Sequence, residues 1–533
     1  MLHFMKDRRG NVAITFAFFL TILIAVAGLA IDYARGVWAQ RDIQAATDTA
    51  VMGLAVLPPS NGRDGRERAI SHLNANSRFD PQISELILPS QAQLASGDVR
   101  IRLATVYRLP TTFMQIFGVY YLEVGAVAEA TRRFQRIQIA LALDNSGSMI
   151  NGRIEALRSA ATTVVDTLAY GKDRTEDIEF ALVPFSGTVN VGANYQNSGW
   201  IDRSGVAPNH STYLISKPVK IATGTMQSST NQFDLFQALN EPWGGCVEAR
   251  VNGLDVSDEA PHPSKPESLF VPTFAPDEPG AKMTADMPSS AGAWTNSYIA
   301  DTGVAASACP APTSDFSRMR WTCKYYGATL QKPAPKTVLS GGIPNGPNLT
   351  CTTPPLTRLT KNAASVKEAI KAMIPFGGTN IAEGAAWGFR TLSRNGPFAE
   401  GMPADAEKQG GKRILIVMTD GDNWYDRVDN APASLLRSRY GAYGYVAENR
   451  VEQTNWTGPM PGMDAKTLAV CTNAKDNGID VYTVGLSVSA VGKTMLTACA
   501  SRPDKAFMVS DNAALVKAFK EIANKIKAPF LSQ

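Results

Sequence analysis

RIQIALALDNSGSM, residues 136–149, is the stretch on which the fold turns. From Ile137 to Leu143 it is apolar and partly β-branched, broken only by Gln138, which is the pattern of a strand buried on both faces. It stops at Asp144-Asn145-Ser146-Gly147-Ser148-Met149, a cluster of turn residues. A helix follows from Ile154 to Ala169, with Ile154, Leu157, Ala161, Val164, Val165 and Leu168 on one face. Ile178–Phe185 is a second apolar strand. Strand, helix and strand at this spacing predict a βαβ unit and a parallel sheet.

Downstream the pattern breaks and then returns. Of the 32 prolines, 18 lie between residues 191 and 355, with four of the six cysteines, and periodicity there is poor. This predicts an insertion displayed at the surface. A helix through 366–373, the turn Gly377-Gly378-Thr379-Asn380 and a helix to Leu392 come next. Arg413–Met418 is another fully apolar strand, ending in Thr419-Asp420-Gly421-Asp422-Asn423. A second insertion covers 424–463. Helices over 464–476, 490–500 and 512–526 then alternate with strands Asp480–Leu486 and Ala506–Val509. The periodic parts of 135–527 amount to about 190 residues, the size of one α/β domain.

Upstream, Asn11 to Ile31 is 21 residues without a charge. As a helix it reaches about 31 Å, enough for a hydrocarbon core of about 30 Å. Lys6, Arg8 and Arg9 precede it, so the positive-inside rule makes 1–10 a cytoplasmic stub, 11–31 a transmembrane helix and the rest exported. Ala25-Val26-Ala27 offers a signal-cleavage pattern, but the apolar stretch outruns a signal core of roughly 7–15 residues. The expectation is a retained single-pass anchor. Residues 32–134 continue the helix to Pro58-Pro59 and then form a small α+β region with strands at 98–105 and 121–130. Six cysteines outside the cytoplasm read as disulfides. Their positions suggest Cys471 with Cys499, leaving three pairings open among Cys246, Cys309, Cys323 and Cys351.

The 533 residues carry 52 Lys+Arg against 48 Asp+Glu, too even a balance for nucleic acid as the main partner. The four His are not at metal-ligand spacing from one another or from Cys, which argues against a zinc enzyme.

In open α/β sheets ligands bind beyond the carboxyl ends of the strands. Asp144 ends one apolar strand, Asp420 follows another, and Thr379 lies in a glycine turn that opens a helix. With Ser146 and Ser148 they offer oxygen alone: two carboxylates and three hydroxyls. That set suits Mg²⁺, Mn²⁺ or Ca²⁺. In Asp-x-Ser-x-Ser alternate residues face one way, and Gly147 is expected to relieve the strain of the turn. Neutral hydroxyls leave the ion most of its charge, so a carboxylate from another protein can take a water's place on it. Singly, each piece has a plainer reading: Asp144 or Ser146 as a helix N-cap, Thr-Asp-Gly-Asp as a turn, Gly-Gly-Thr-Asn as a helix start. The three in this order are specific.

Residues 135–527 resemble a von Willebrand factor type A domain. Asp144, Ser146, Ser148, Thr379 and Asp420 match its metal-ion-dependent adhesion site position by position. The resemblance implies a doubly wound, mostly parallel sheet of Rossmann-like type. It also implies a divalent ion held by the two Ser and the Thr, with the two Asp acting directly or through water. Residues 6–55 resemble the amino-terminal segment of TadE/TadG-like Flp pilus-assembly proteins, and Thr497-Ala-Cys-Ala-Ser-Arg-Pro, with Cys471 upstream, is similar to the TadG-like subgroup. Prepilin-type processing would want Glu five residues after Gly10, where Thr15 stands, so no such cleavage is expected. Block 191–355 resembles nothing.

The function expected is a non-enzymatic, metal-dependent binding module on the bacterial inner membrane, its bulk periplasmic. Its partner would be a protein supplying an acidic residue, such as a pilus or envelope component. Two alternatives stand beside it. A metal-dependent phosphohydrolase with Asp144 as nucleophile would want a second acid where Ser146 stands, and a base. In a structural envelope protein, the insertions alone would bind.

Overall fold

A computed structural model describes residues 10–56, 62–87, 99–132, 136–175, 177–279, 296–300, 308–310, 314–328, 330, 346–408, 410–425, 436, 438–452 and 460–527. Residues 1–9 of the expected stub, Pro58-Pro59 and parts of both insertions lie outside the described residues. The chain divides into two compact units, one running to Phe134 and one of Gln135–Lys527.

The first unit begins with α1 (Gly10–Val56), an unbroken helix of 47 residues, the one described helix long and apolar enough to cross a membrane. Its first part is apolar all round: Phe16, Phe18, Phe19, Leu23 and Ile24 are exposed. Farther on, only one stripe is apolar. Ala39, Ile43, Ala46, Ala50, Val51 and Leu54 are buried, as an amphipathic helix on a sheet requires. That sheet is antiparallel, β1 (Gln82–Ile87), β2 (Val99–Pro110) and β3 (Tyr121–Arg132) in that order, with α2 (Gly62–Asn76) also against α1. β1 escaped the sequence reading because its alternation is irregular, with a register shift between Ile83 and Glu85.

The second unit is a doubly wound α/β fold. Its strands are β4 (Ile137–Asp144), β5 (Ile178–Phe185), β8 (Thr357–Thr360), β9 (Lys412–Thr419), β10 (Ile479–Leu486) and β11 (Ala506–Val509), in the order β11-β10-β9-β4-β5-β8. All neighbours are parallel except β8, which runs antiparallel to β5 at the edge. A small hairpin, β6 (Pro218–Ile221) and β7 (Gly224–Gln227), stands apart in the insertion. Helices α3 (Arg153–Leu168), α4 (Ala363–Lys371) and α8 (Asn512–Lys527) cover one face. On the other lie α5 (Ile381–Leu392), α6 (Pro461–Asp476) and α7 (Ala490–Cys499).

α5 packs close because it presents glycine to the sheet. A methyl at Gly384 would overlap the buried Phe185 ring. Gly384→Ala is therefore expected to lose about 1–2 kcal/mol, since overpacking outweighs the helix propensity gained. The urea midpoint of the detergent-solubilised chain reads it, and an unchanged or raised midpoint would contradict this packing.

The block 191–355 is more than the expected surface display: a good part of its described residues joins the core. Trp243, Phe270, Phe274, Tyr298 and Tyr325 are buried, and Phe270 stacks at 4.8 Å on Trp387 of α5. With few ladders, its buried carbonyls need other donors. Buried arginines supply them. The Arg250 guanidinium donates to the carbonyls of Leu254, Ser257, Glu259 and Ser268, and Arg390 donates to Leu254, Asp255 and Ser257. Three disulfides complete the unit: Cys471–Cys499 joins α6 to α7, Cys246–Cys351 closes the insertion, and Cys309–Cys323 lies within it.

Candidate metal centre

β4 and β9 are adjacent and parallel, with Leu143 opposite Met418, so Asp144 and Thr419 end side by side. The chain leaves β4 toward β5 on one side and returns by β9 on the other. This is the switch point at which such sheets bind ligands.

Asp144 is fully buried. Its Oδ1 accepts the Ser146 N–H at 2.7 Å and its Oδ2 accepts the Thr419 hydroxyl at 2.6 Å. Extended backbone at Ser146 leads into a short 3₁₀ turn, Gly147–Met149, which brings the Ser146 and Ser148 Oγ atoms to 2.8 Å. The Ser148 hydroxyl donates to Asp420 Oδ1. Four of the five expected ligands thus form one hydrogen-bonded chain across two strand ends.

The glycine turn that carries Thr379 is tied to the Asp144 loop through its backbone. The Gly147 N–H donates to the Gly377 carbonyl at 2.9 Å, and the Phe376 N–H to the Asn145 carbonyl at 2.6 Å. Thr379 and Trp424 exchange N–H···O bonds of 2.9 and 2.8 Å, tying the glycine turn to the loop after β9. Asn380 caps α5 by accepting the Glu383 N–H, and Asn423 accepts the Ile381 N–H at 3.0 Å. The glycine that this turn requires is Gly377, at φ +83°. Gly147, expected to relieve strain, sits in the 3₁₀ turn outside the left-handed region.

Burial, and after it the neighbouring Asp420 charge, pushes the Asp144 carboxyl up to about 7. Two carboxylates held together away from water call for positive charge between or beside them. One source is Arg153, whose Nη1 lies 2.7 Å from Asp420 Oδ2. The sequence reading passed over this residue. Its signal was position: a cation in the first turn of α3 opposes the helix dipole and so needs a reason to be there. The donor set suits a hard divalent cation: carboxylates and hydroxyls in one layer, with no Cys or His among them. Nearby, Asn145 Oδ1 and Ser186 Oγ are buried without a hydrogen-bond partner among the described residues, so the rim has unspent polar capacity. Ser186 also lines a cavity beside the glycine turn, with Gly377, Thr350, Trp424 and Tyr440.

No family model matches this chain, and no curated protein does. Solved structures do. The pilus adhesin SpaC from Lactobacillus rhamnosus GG is 11% identical at a TM-score of 0.31, over 85% of this chain and 35% of that one. The chain thus spans about a third of that adhesin's length. The vWF domain of the type V pili tip protein Mfa5 from Porphyromonas gingivalis is 10% identical at 0.33, over 74% of this chain and 95% of that one. Proximal thread matrix protein 1 from the mussel byssus, with a zinc occupied MIDAS motif, is 10% identical at 0.27, over 74% and 47%. Scores this low carry nothing about the chemistry of this chain.

Proposed function

We propose that residues 135–527 are a von Willebrand A-type module that binds a protein partner through a divalent cation, Mg²⁺, Mn²⁺ or Ca²⁺. The observation that carries this is the chain of hydrogen bonds joining Asp144, Ser146, Ser148 and Asp420, with Thr379 tied beside it. Those five residues would hold the cation, which when bound supplies an electrophilic position for a carboxylate of the partner. Thr419 and the Ser146 N–H orient Asp144, while Arg153 holds the second oxygen of Asp420. Neutral hydroxyls on the ligand set leave the bound charge largely unspent.

Binding is favoured over hydrolysis by where the histidines are. His210 is engaged by Asp202 and the Gln232 N–H, and His262 by Ser264. Neither is hydrogen-bonded to any of the five residues as a base would be to activate a nucleophile. The N-terminal helix anchors the chain in the bacterial inner membrane, amino terminus cytoplasmic and bulk periplasmic. Its partners are pilus or envelope components, in Flp/Tad-type assembly or surface attachment, and not nucleic acid.

The test is capture of envelope proteins on the immobilised full chain. A partner held in Mg²⁺, released by EDTA and not retained by Asp420→Ala supports the reading. Retention indifferent to both treatments refutes it and favours binding by the insertions alone.

A further inference from the structure

We infer that the loop between β2 and β3 is a membrane-interface foot, seating its apolar tip at the boundary between lipid headgroups and acyl chains beside α1. This rests on reading Asn11–Ile31 as the membrane-crossing segment.

The loop is fastened where that segment ends. Asp32, the first charge after the apolar stretch, is 1% exposed, and its carboxylate accepts the N–H groups of Thr112, Phe113 and Met114 at 2.7–3.1 Å. Arg35 completes the clasp, with Nη1 3.3 Å from Asp32 Oδ1 and 2.7 Å from Thr112 Oγ1. A carboxylate at the edge of a bilayer is costly unless satisfied, and here the loop's own amides satisfy it. One turn deeper, a methyl on Gly28 would lie 2.6 Å from the Phe113 ring, so that ring lies directly on the helix backbone. From Gly28 to Asp32 is about 6 Å along the axis, which sets the loop level with the last turn of the apolar stretch.

What the loop presents there is unlike an ordinary hairpin tip. Residues 109–122 carry no charge, and the flanking Arg108 and Glu123 pair with each other at 3.0 Å. Ile116, Phe117, Tyr120 and Tyr121 are each 59–76% exposed, and on α1 Tyr33 and Trp38 are exposed as well. Hairpin tips facing water are polar and rich in turn residues, whereas the exposed run 116–121 here holds one turn residue, Gly118 at φ +84°, among apolar and aromatic side chains. Aromatic side chains with one polar end are the residues that gather at membrane interfaces.

All six cysteines are paired, so an introduced cysteine is a unique thiol. Phe117→Cys, Phe19→Cys and Ile70→Cys, each carrying a nitrobenzoxadiazole label, would be compared in the full chain. Ile70 is exposed on α2, which packs on α1 at Gly53, about 30 Å along the axis beyond Asp32. The chain would sit in phosphatidylethanolamine/phosphatidylglycerol vesicles with and without nitroxide-bearing lipid. The label at 117 should be blue-shifted and quenched by nitroxide near the headgroups, while that at 70 is not. If 117 behaves like 70 while 19 is quenched, the anchor stands and the foot is refuted. A label at 117 that is blue-shifted but unquenched by lipid lies against protein, which also refutes it. Failure to quench at 19 overturns the anchor and the foot together.

Discussion

Asp144→Ala is expected to weaken divalent-cation binding by at least about 100-fold, since even outer-sphere partners of metals are typically worth 10–100-fold. The side chain is fully buried, held on both oxygens by Ser146 and Thr419, and aimed at the rim with Asp420. A cation present at about 100 times its dissociation constant stabilises the native protein by about 2.7 kcal/mol, and the variant should lose that gain. Without cation the change should be small, because the two hydrogen bonds lost are offset by removing a carboxylate that burial and Asp420 already disfavour. Calorimetric titration of the solubilised full chain with Mg²⁺ or Mn²⁺, and thermal unfolding with and without EDTA, read both effects. Wild-type affinity in Asp144→Ala would remove the metal centre from the account.

The second large effect is expected from Cys246–Cys351. This bridge closes a loop of 105 residues, against 14 for Cys309–Cys323. In the chain-entropy view these correspond to about 4.7 and about 3 kcal/mol. The long bridge also sits where the insertion leaves the sheet. The Val191 N–H donates to the Gly245 carbonyl and the Leu356 N–H to the Asn190 carbonyl, both at 2.8 Å. The double variant Cys246→Ser, Cys351→Ser should therefore lower the urea midpoint more than Cys309→Ser, Cys323→Ser. The reverse order would mean that the insertion is held by its aromatic core alone.

Those two predictions sit on opposite sides of what the sequence makes legible. The central sheet could be read because β4 and, past Lys412, β9 are buried, and burial on both faces leaves an unmistakable apolar run that stops at or just before a charged residue. That Asp144 and Asp420 meet at neighbouring strand ends could be read for the same reason, since they stand where those runs end. β8 could not be read, being four residues of half-buried edge. The insertion could not either. Its backbone is satisfied by Arg250 and Arg390 from within the core, and such pairings have no period to detect. Arg153 was passed over because the reason for a cation in the first turn of α3 lies at Asp420, 267 residues later.

The helix α1 runs 47 residues with no proline and no break, from the apolar stretch to the packed stripe beneath the three-stranded sheet. At about 70 Å it has no joint at which to bend. A pull on that sheet is therefore borne axially by one stiff rod, and torque on it turns the apolar first part of the helix by the same angle. A link of this kind behaves as a mooring post and not as a tether.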